Sequence, residues 1–209
     1  MRALLIALVL LFAACEEPVL FTRPQPVETA SLDHFPKRWQ GEYMLLEDSS
    51  RLVIGHRTMI AMNEWEIRRS VRDVDSTTFL IGDTLLAFGQ GRSVPVFVRS
   101  DSVFGMIRLI DTLFTISDQQ ILKRMSGSLI INRAHGAAGW EVSRMTLSNG
   151  KLRIAEIKDP GSMSVLNEVL VLPGDTISTA LELSRRQFRG VVSNGGFVLD
   201  KEYMRLRRR

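Results

Sequence analysis

A mainly β fold is predicted: an antiparallel meander, closed or coiled into a barrel, with one or two short C-terminal helices. Three observations predict it. From Trp39 onward, short segments rich in Val, Ile, Phe and Thr are separated by clusters of Asp, Ser, Asn and Gly. Several segments alternate with the period of a pleated strand: Val94, Val96 and Val98 against Phe97 and Arg99, then Val103, Gly105, Ile107 and Leu109 against Phe104, Met106 and Arg108. Finally, Ser148-Asn149-Gly150 separates two such segments, and Asn-Gly suits a type I′ hairpin turn because both central residues accept positive φ. A sheet of about ten or more strands twists, and it curls or closes to protect its edges.

The chain opens with Met1-Arg2 and an apolar run from Ala3 to Ala14, followed by Cys15, the one cysteine among 209 residues. Arg2 is the positive start of a secretory signal, and Leu4 through Phe12 is its apolar middle. A helix of about a dozen residues reaches ~18 Å, too short for a hydrocarbon core of ~30 Å. Leu11-Phe12-Ala13-Ala14-Cys15 resembles the lipobox of bacterial lipoproteins, with Phe12 where that family usually carries Leu. The resemblance implies a lipoprotein signal peptide over residues 1–14 and lipid attachment at Cys15, with palmitate among the acyl chains. More than one chain makes a stable anchor. In that family an Asp after the cysteine often marks retention in the inner membrane. Glu16 stands there instead, which implies the outer membrane, facing the periplasm or exposed at the surface. The alternative is plain secretion with cleavage after Cys15.

A single cysteine excludes an intramolecular disulfide, so stability must come from burial. With 27 basic and 23 acidic residues the net charge is +4, which calls for no nucleic-acid partner. Residues 15–34 are expected to be a flexible tether, because Pro18, Pro24 and Pro26 disfavour helix and sheet alike. If extended, the part from Glu16 to about Leu32 reaches roughly 50 Å at ~3.1 Å per residue. Residues 35–209 then form one β-barrel-like domain.

The expected strands run in order: Gly41–Asp48, Arg51–Met62, Asn63–Val74, Thr77–Ile81, Thr84–Phe88, Val94–Arg99, Val103–Ile110, Leu113–Ser117, Gln120–Met125 and Ser128–Asn132. Trp140–Leu147 then pairs with Leu152–Ile157. An Asp followed by Ser or Thr recurs at Asp75, Asp83, Asp101, Asp111 and Asp175. It marks a turn that opens into a strand; the spacing is irregular and no glycine-rich calcium loop accompanies it. Asp159-Pro160-Gly161 breaks the pattern, Ser162 or Ser164 caps a short helix to Glu168, and Pro173-Gly174 turns the chain into a strand over Thr176–Leu183. Ser184 caps a helix over Arg185–Ser193, where Phe188, Val191 and Val192 have helical spacing; Asn194-Gly195-Gly196 stops it, and Phe197–Arg207 closes the fold. This order of segments resembles the lipocalin-like barrels of bacterial lipoproteins, and Trp39-Gln40-Gly41 carries that family's opening Gly-x-Trp residues reversed. The resemblance implies the architecture alone; no binding residue carries over.

Sites are sparse. His34, His56 and His135 lack the close repeated spacing of a zinc site, so no metal and no cofactor is expected. No Gly-x-Ser-x-Gly occurs, and no catalytic residue is assigned. His135, in Arg133-Ala134-His135-Gly136-Ala137-Ala138-Gly139, is the best centre for a loop-assembled site. Glu64 with Glu66, and Asp73 with Asp75, are same-face acid pairs expected to be solvated charges. Trp39, Trp65, Trp140, Phe79, Phe88, Phe97, Phe104 and Phe114 are expected in the core, lining an apolar pocket if the barrel is hollow. Gly89-Gln90-Gly91-Arg92-Ser93 lacks the ending of a phosphate loop, and Arg205-Leu206-Arg207-Arg208-Arg209 is either a solvated strand end or a contact for anionic headgroups. The expected role is a membrane-anchored envelope binding or scaffold module. Its partners are the membrane, through the covalent lipid, and an apolar small molecule or envelope protein. The alternative is an envelope hydrolase around His135.

Overall fold

The computed structural model describes residues 19–73, 78–81, 84–87, 92–157, 164–166, 168 and 180–206. The leader with Cys15, and Asp75, Ser76, Asp83, Phe88, Gly89-Gln90-Gly91, Asp159-Pro160-Gly161, Ser162, Pro173-Gly174, Asp175-Thr176 and Arg207-Arg208-Arg209, lie outside them. The fold is mainly β and its strand pairs are antiparallel. The strands are β1 Leu20–Phe21, β2 Gly41–Leu45, β3 Arg51–Ile54, β4 Thr58–Ser70, β5 Thr78–Ile81, β6 Thr84–Ala87, β7 Arg92–Arg99, β8 Ser102–Thr115, β9 Gln120–Met125, β10 Ser128–Ala134, β11 Trp140–Ser148, β12 Lys151–Glu156 and β13 Val198–Arg205. One helix, α1, covers Arg185–Ser193, and residues 164–166 and 168 are also helical.

The expected single domain resolves into two compact units. The first holds the described residues up to His34 and Ile116–Glu202; the second holds Phe35–Thr115 and the chain from Tyr203. In the first, the order is β12-β11-β10-β9, with β13 beside β12 and β1 on β11. In the second it is β5-β6-β7-β8-β4-β3-β2, with the end of β13 on β2. In neither unit do the described strands close into a ring.

In the first unit, β1 meets β11 at Glu141 and Trp140, while β12 takes Ser143–Ser148. The β11–β12 hairpin has the expected turn, with φ of 50° at Asn149 and 77° at Gly150. α1 starts at Ser184, whose hydroxyl accepts the Gln187 N–H while the Gln187 side chain accepts the Ser184 N–H, a capping box. Its apolar face buries Phe188, Val191 and Val192 against Phe21, Ile130 and Val142, and Phe188 meets Phe21 edge to face at 6.1 Å. Each such buried side chain contributes about 1.5–3 kcal/mol. The partly buried Arg144 guanidinium donates to the Val192 carbonyl at the helix end.

The tether expectation is corrected for residues 19–34. Phe21 and Gln25 are fully buried, and Val27 is buried beside them. The Lys123 ammonium donates to the Pro24 and Pro26 carbonyls at 2.9 and 3.0 Å. Asn132 clasps the Gln25 main chain, accepting its N–H at 2.6 Å and donating to its carbonyl at 2.9 Å. Beyond β1 and a lone bridge at Leu32, the stretch forms no helix or strand. Side chains from β9 and β10 satisfy its main chain instead. Burial drives the Lys123 ammonium below its ordinary pKa, and nearby Arg23 adds to the shift.

Other boundaries differ too. β2 ends at Leu45, and a turn at Gly55-His56-Arg57 splits the expected Arg51–Met62 strand, so His56 lies in a turn. Beyond it, β4 runs unbroken from Thr58 through Asn63 to Ser70. Asp111 and Thr112 lie within β8, not in a turn. The β4–β8 register shifts there, Met59 facing Phe114 and Ile60 facing Thr112, so Leu113 is the extra residue of a bulge. Pairing of Asp111 and Thr112 with Ala61 and Ile60 of β4 outweighs the local turn preference of Asp.

Candidate functional site

The site is built by a mismatch in strand length within the second unit. The β2–β3 turn braces itself: Leu45 N–H donates to the Ser50 carbonyl at 2.7 Å, and the Asp48 carboxylate accepts the Ser50 N–H at 2.8 Å. β3 starts at Arg51, opposite Met62, and β4 continues well past it. The step between the turn and the longer strand leaves a cleft of about 480 Å3, lined by Asp48, Ser49, Ser50, Arg51, Met62, Asn63, Glu64 and Trp65.

The lining is mixed. Two carboxylates, one guanidinium, an amide and two hydroxyls offer donors and acceptors, and Met62 and Trp65 offer apolar surface. Trp65 keeps 44% of its surface exposed, unusual for an indole. The Glu64 carboxylate is bridged by Arg108, its directly opposite neighbour on β8, and so is held in place. Such a volume exceeds the ~300 Å3 of small-ligand sites. The chemistry suits an amphipathic ligand with one flat face and several hydroxyl, amide or charged groups.

The expected site residues do not gather here. His34 bonds Asp33, His56 lies in its turn with its carbonyl accepting the Phe35 N–H, and His135 opens the loop before β11. His135 Nε2 lies 3.7 Å from Glu141, and its ring is half exposed. No serine joins that pair among the described residues. No group of three or more metal-ligating side chains occurs among them either. Glu64 and Glu66 share a face of β4, but Glu64 is paired with Arg108 and Glu66 faces Met106.

The rings divide. Trp39 and Phe114 are core, as expected, whereas Trp65 and Phe97 are exposed, Phe97 by 62% and stacked on Phe104 at 5.3 Å. Trp65 and Phe97 sit on opposite faces of the β7-β8-β4 sheet, and the Trp65 face also carries the buried Val96 and Val103. Arg205 is held: it donates to the Arg38 and Gln40 carbonyls at 3.1 and 2.6 Å and lies over the Tyr43 ring. Tyr43 donates to the Trp39 carbonyl at 2.7 Å, and burial raises its hydroxyl pKa against the opposing pull of Arg205.

Asp48 and Asn63 were missed as site residues, and Trp65 was expected only in the core or lining an internal apolar pocket. The available signal was Trp65 between two glutamates, a large ring on a strand whose neighbours mark it as solvated. Comparison with protein-family models, with curated proteins and with solved structures finds no match. Among the described residues, no helix is long and apolar enough to cross a membrane.

Proposed function

We propose that this protein is a lipid-anchored binding or scaffold module of the bacterial cell envelope, held at the outer membrane through Cys15. The observation that carries the reading is the leader: Met1-Arg2, an apolar run, then Ala13-Ala14-Cys15. The cleft beside Trp65 supports the binding role, and its mixed lining favours an amphipathic ligand over the wholly apolar one expected. Arg205 is tied to the Arg38 and Gln40 carbonyls, and the acyl chains are proposed to supply the membrane affinity.

The test is Cys15→Ser, compared with wild type by envelope fractionation and intact mass. The wild type should lack residues 1–14, carry acyl mass and sediment with membranes; the variant should lose the acyl mass and most of its membrane yield. Equal mass and equal yield would overturn the reading.

A second reading has one observation behind it. In a hydrolase, the His135–Glu141 pair, 3.7 Å apart, would serve as base and orienter. An envelope hydrolase would lose activity on simple ester or amide substrates in His135→Ala, whereas a binding module has none to lose.

A further inference from the structure

β4 has an open edge with a defined hydrogen-bond phase. β3 reaches only to Arg51, opposite Met62, so beyond that point β4 has one strand neighbour among the described residues, β8. The phase can be read from both ends. At the β3–β4 turn, Gly55 N–H donates to the Thr58 carbonyl at 2.9 Å, which makes Val53–Ile60 and Arg51–Met62 hydrogen-bonded pairs. Even-numbered residues of β4 therefore aim their main chain toward β3. At the other end, Val71 N–H donates to the Asp101 carbonyl at 2.7 Å, which aims the odd-numbered residues 63 to 69 toward β8. The two readings agree. The N–H and C=O groups of Glu64, Glu66, Arg68 and Ser70 point away from β8, and no strand pairs with them among the described residues.

The sequence of this edge is Glu64-Trp65-Glu66-Ile67-Arg68-Arg69-Ser70, acidic at its start and basic at its end. Its midpoint is Ile67. Laid antiparallel against a second copy about that midpoint, the edge complements itself. Glu66 faces the partner's Arg68, and Arg68 faces the partner's Glu66. On the opposite face of the sheet Trp65 faces the partner's Arg69, an indole against a guanidinium. Glu64 faces the partner's Ser70, and Ile67 meets the partner's Ile67. The phase is satisfied at the same time: residues 64, 66, 68 and 70 all fall in hydrogen-bonded pairs, and the two copies of Ile67 form a non-bonded pair on the axis. Shifting the axis to Glu66 or to Arg68 sets that residue against its own copy, like charge on like charge. Placing the axis between two residues breaks the phase and turns side chains to the wrong faces.

We propose that the protein self-associates through this edge, β4 pairing antiparallel with β4 of a second copy in a two-fold dimer centred on Ile67. Charged side chains commonly guard an open edge against any partner. Here their order admits one partner, in one register. The Arg68 guanidinium already lies 5.5 Å over the Phe104 ring, which holds it on the face where the partner's Glu66 would arrive. The partner's strand ends opposite Glu64, which together with Trp65 also lines the cleft, so the paired copy would form one wall of it. This inference goes beyond the lipid-anchored reading and does not depend on acylation of Cys15.

The experiment uses the full chain in mild detergent. Ile67→Cys should give a disulfide dimer on oxidation, because directly opposed non-bonded residues place their Cα atoms about 4.5 Å apart, within disulfide reach. Trp65→Cys should not, since the paired register puts its two copies roughly 13 Å apart. The expected cross-linking yield for Ile67→Cys is roughly tenfold above both Trp65→Cys and the parent chain, whose Cys15 serves as control. By light scattering, Glu66→Arg alone and Arg68→Glu alone should each be monomeric, and an equal mixture of the two should form a dimer, which also shows that both variants are folded. Equal yields from Ile67→Cys and Trp65→Cys, dimeric single variants, a monomeric wild type or a mixture that stays monomeric would each overturn the proposal.

Discussion

Asn132→Leu should release residues 19–34 from the first unit. Asn132 is fully buried on β10, and its amide makes three bonds: it accepts the Gln25 N–H at 2.6 Å and donates to the Gln25 and Ile121 carbonyls at 2.9 and 3.2 Å. Leucine has similar volume and none of this chemistry. Gln25 is itself fully buried, so its N–H and carbonyl lose their partner without gaining water. Two orphaned main-chain groups cost about 1–3 kcal/mol each, roughly 4 kcal/mol together. The added apolar burial of leucine offsets about 1 kcal/mol, leaving a net loss of about 3 kcal/mol. With a urea dependence of about 2 kcal/mol per molar, the unfolding midpoint falls by roughly 1.5 M. Hydrogen exchange adds the local readout: amides of residues 19–34 should lose protection before those of β11 and β12. A loss under about 1 kcal/mol, or an unchanged exchange pattern in 19–34, would refute the assignment of Asn132 as the clasp.

Two further outcomes are expected. In Gly196→Ala, a Cβ would lie 2.5 Å from Val191 Cγ1 and 3.0 Å from the Val191 carbonyl, and Val191 is fully buried, so α1 must shift. The loss is about 1–3 kcal/mol, a fall in Tm of roughly 5 °C by calorimetry, and an unchanged Tm would refute it. Glu202 bonds Lys151 and Arg153, and these bonds hold its carboxyl below the usual range. A depressed folded pKa gives stability above the unfolded value that is lost as pH falls through the folded one. The stability difference between wild type and Glu202→Gln should therefore shrink as pH drops through the carboxylate range, and thermal melts showing a constant difference would contradict it.

What could be read from the sequence was what is decided locally. Asn149-Gly150 fixed a hairpin because few dipeptides accept two positive φ values in succession. Ser184 marked the start of α1 because the cap needs only residues within one turn. The segment 19–34 was hidden because its anchors, Lys123 and Asn132, lie about a hundred positions away and appear polar in isolation. Asp111-Thr112 misled because the sequence cannot show that β8 continues past them along β4. The cleft was hidden for a related reason. It arises where β3 ends before β4, a difference in length that emerges only from pairing, and Trp65 looked like any core ring until its neighbours were placed.

Lys123 carries a practical consequence. Its burial and its bonds to the Pro24 and Pro26 carbonyls shield it from acylating reagents while residues 19–34 are docked. A brief chemical footprint should leave this one amine unlabelled while solvent-facing lysines react. Its modification would time-stamp each excursion of the N-terminal strap away from its berth, with no engineered probe.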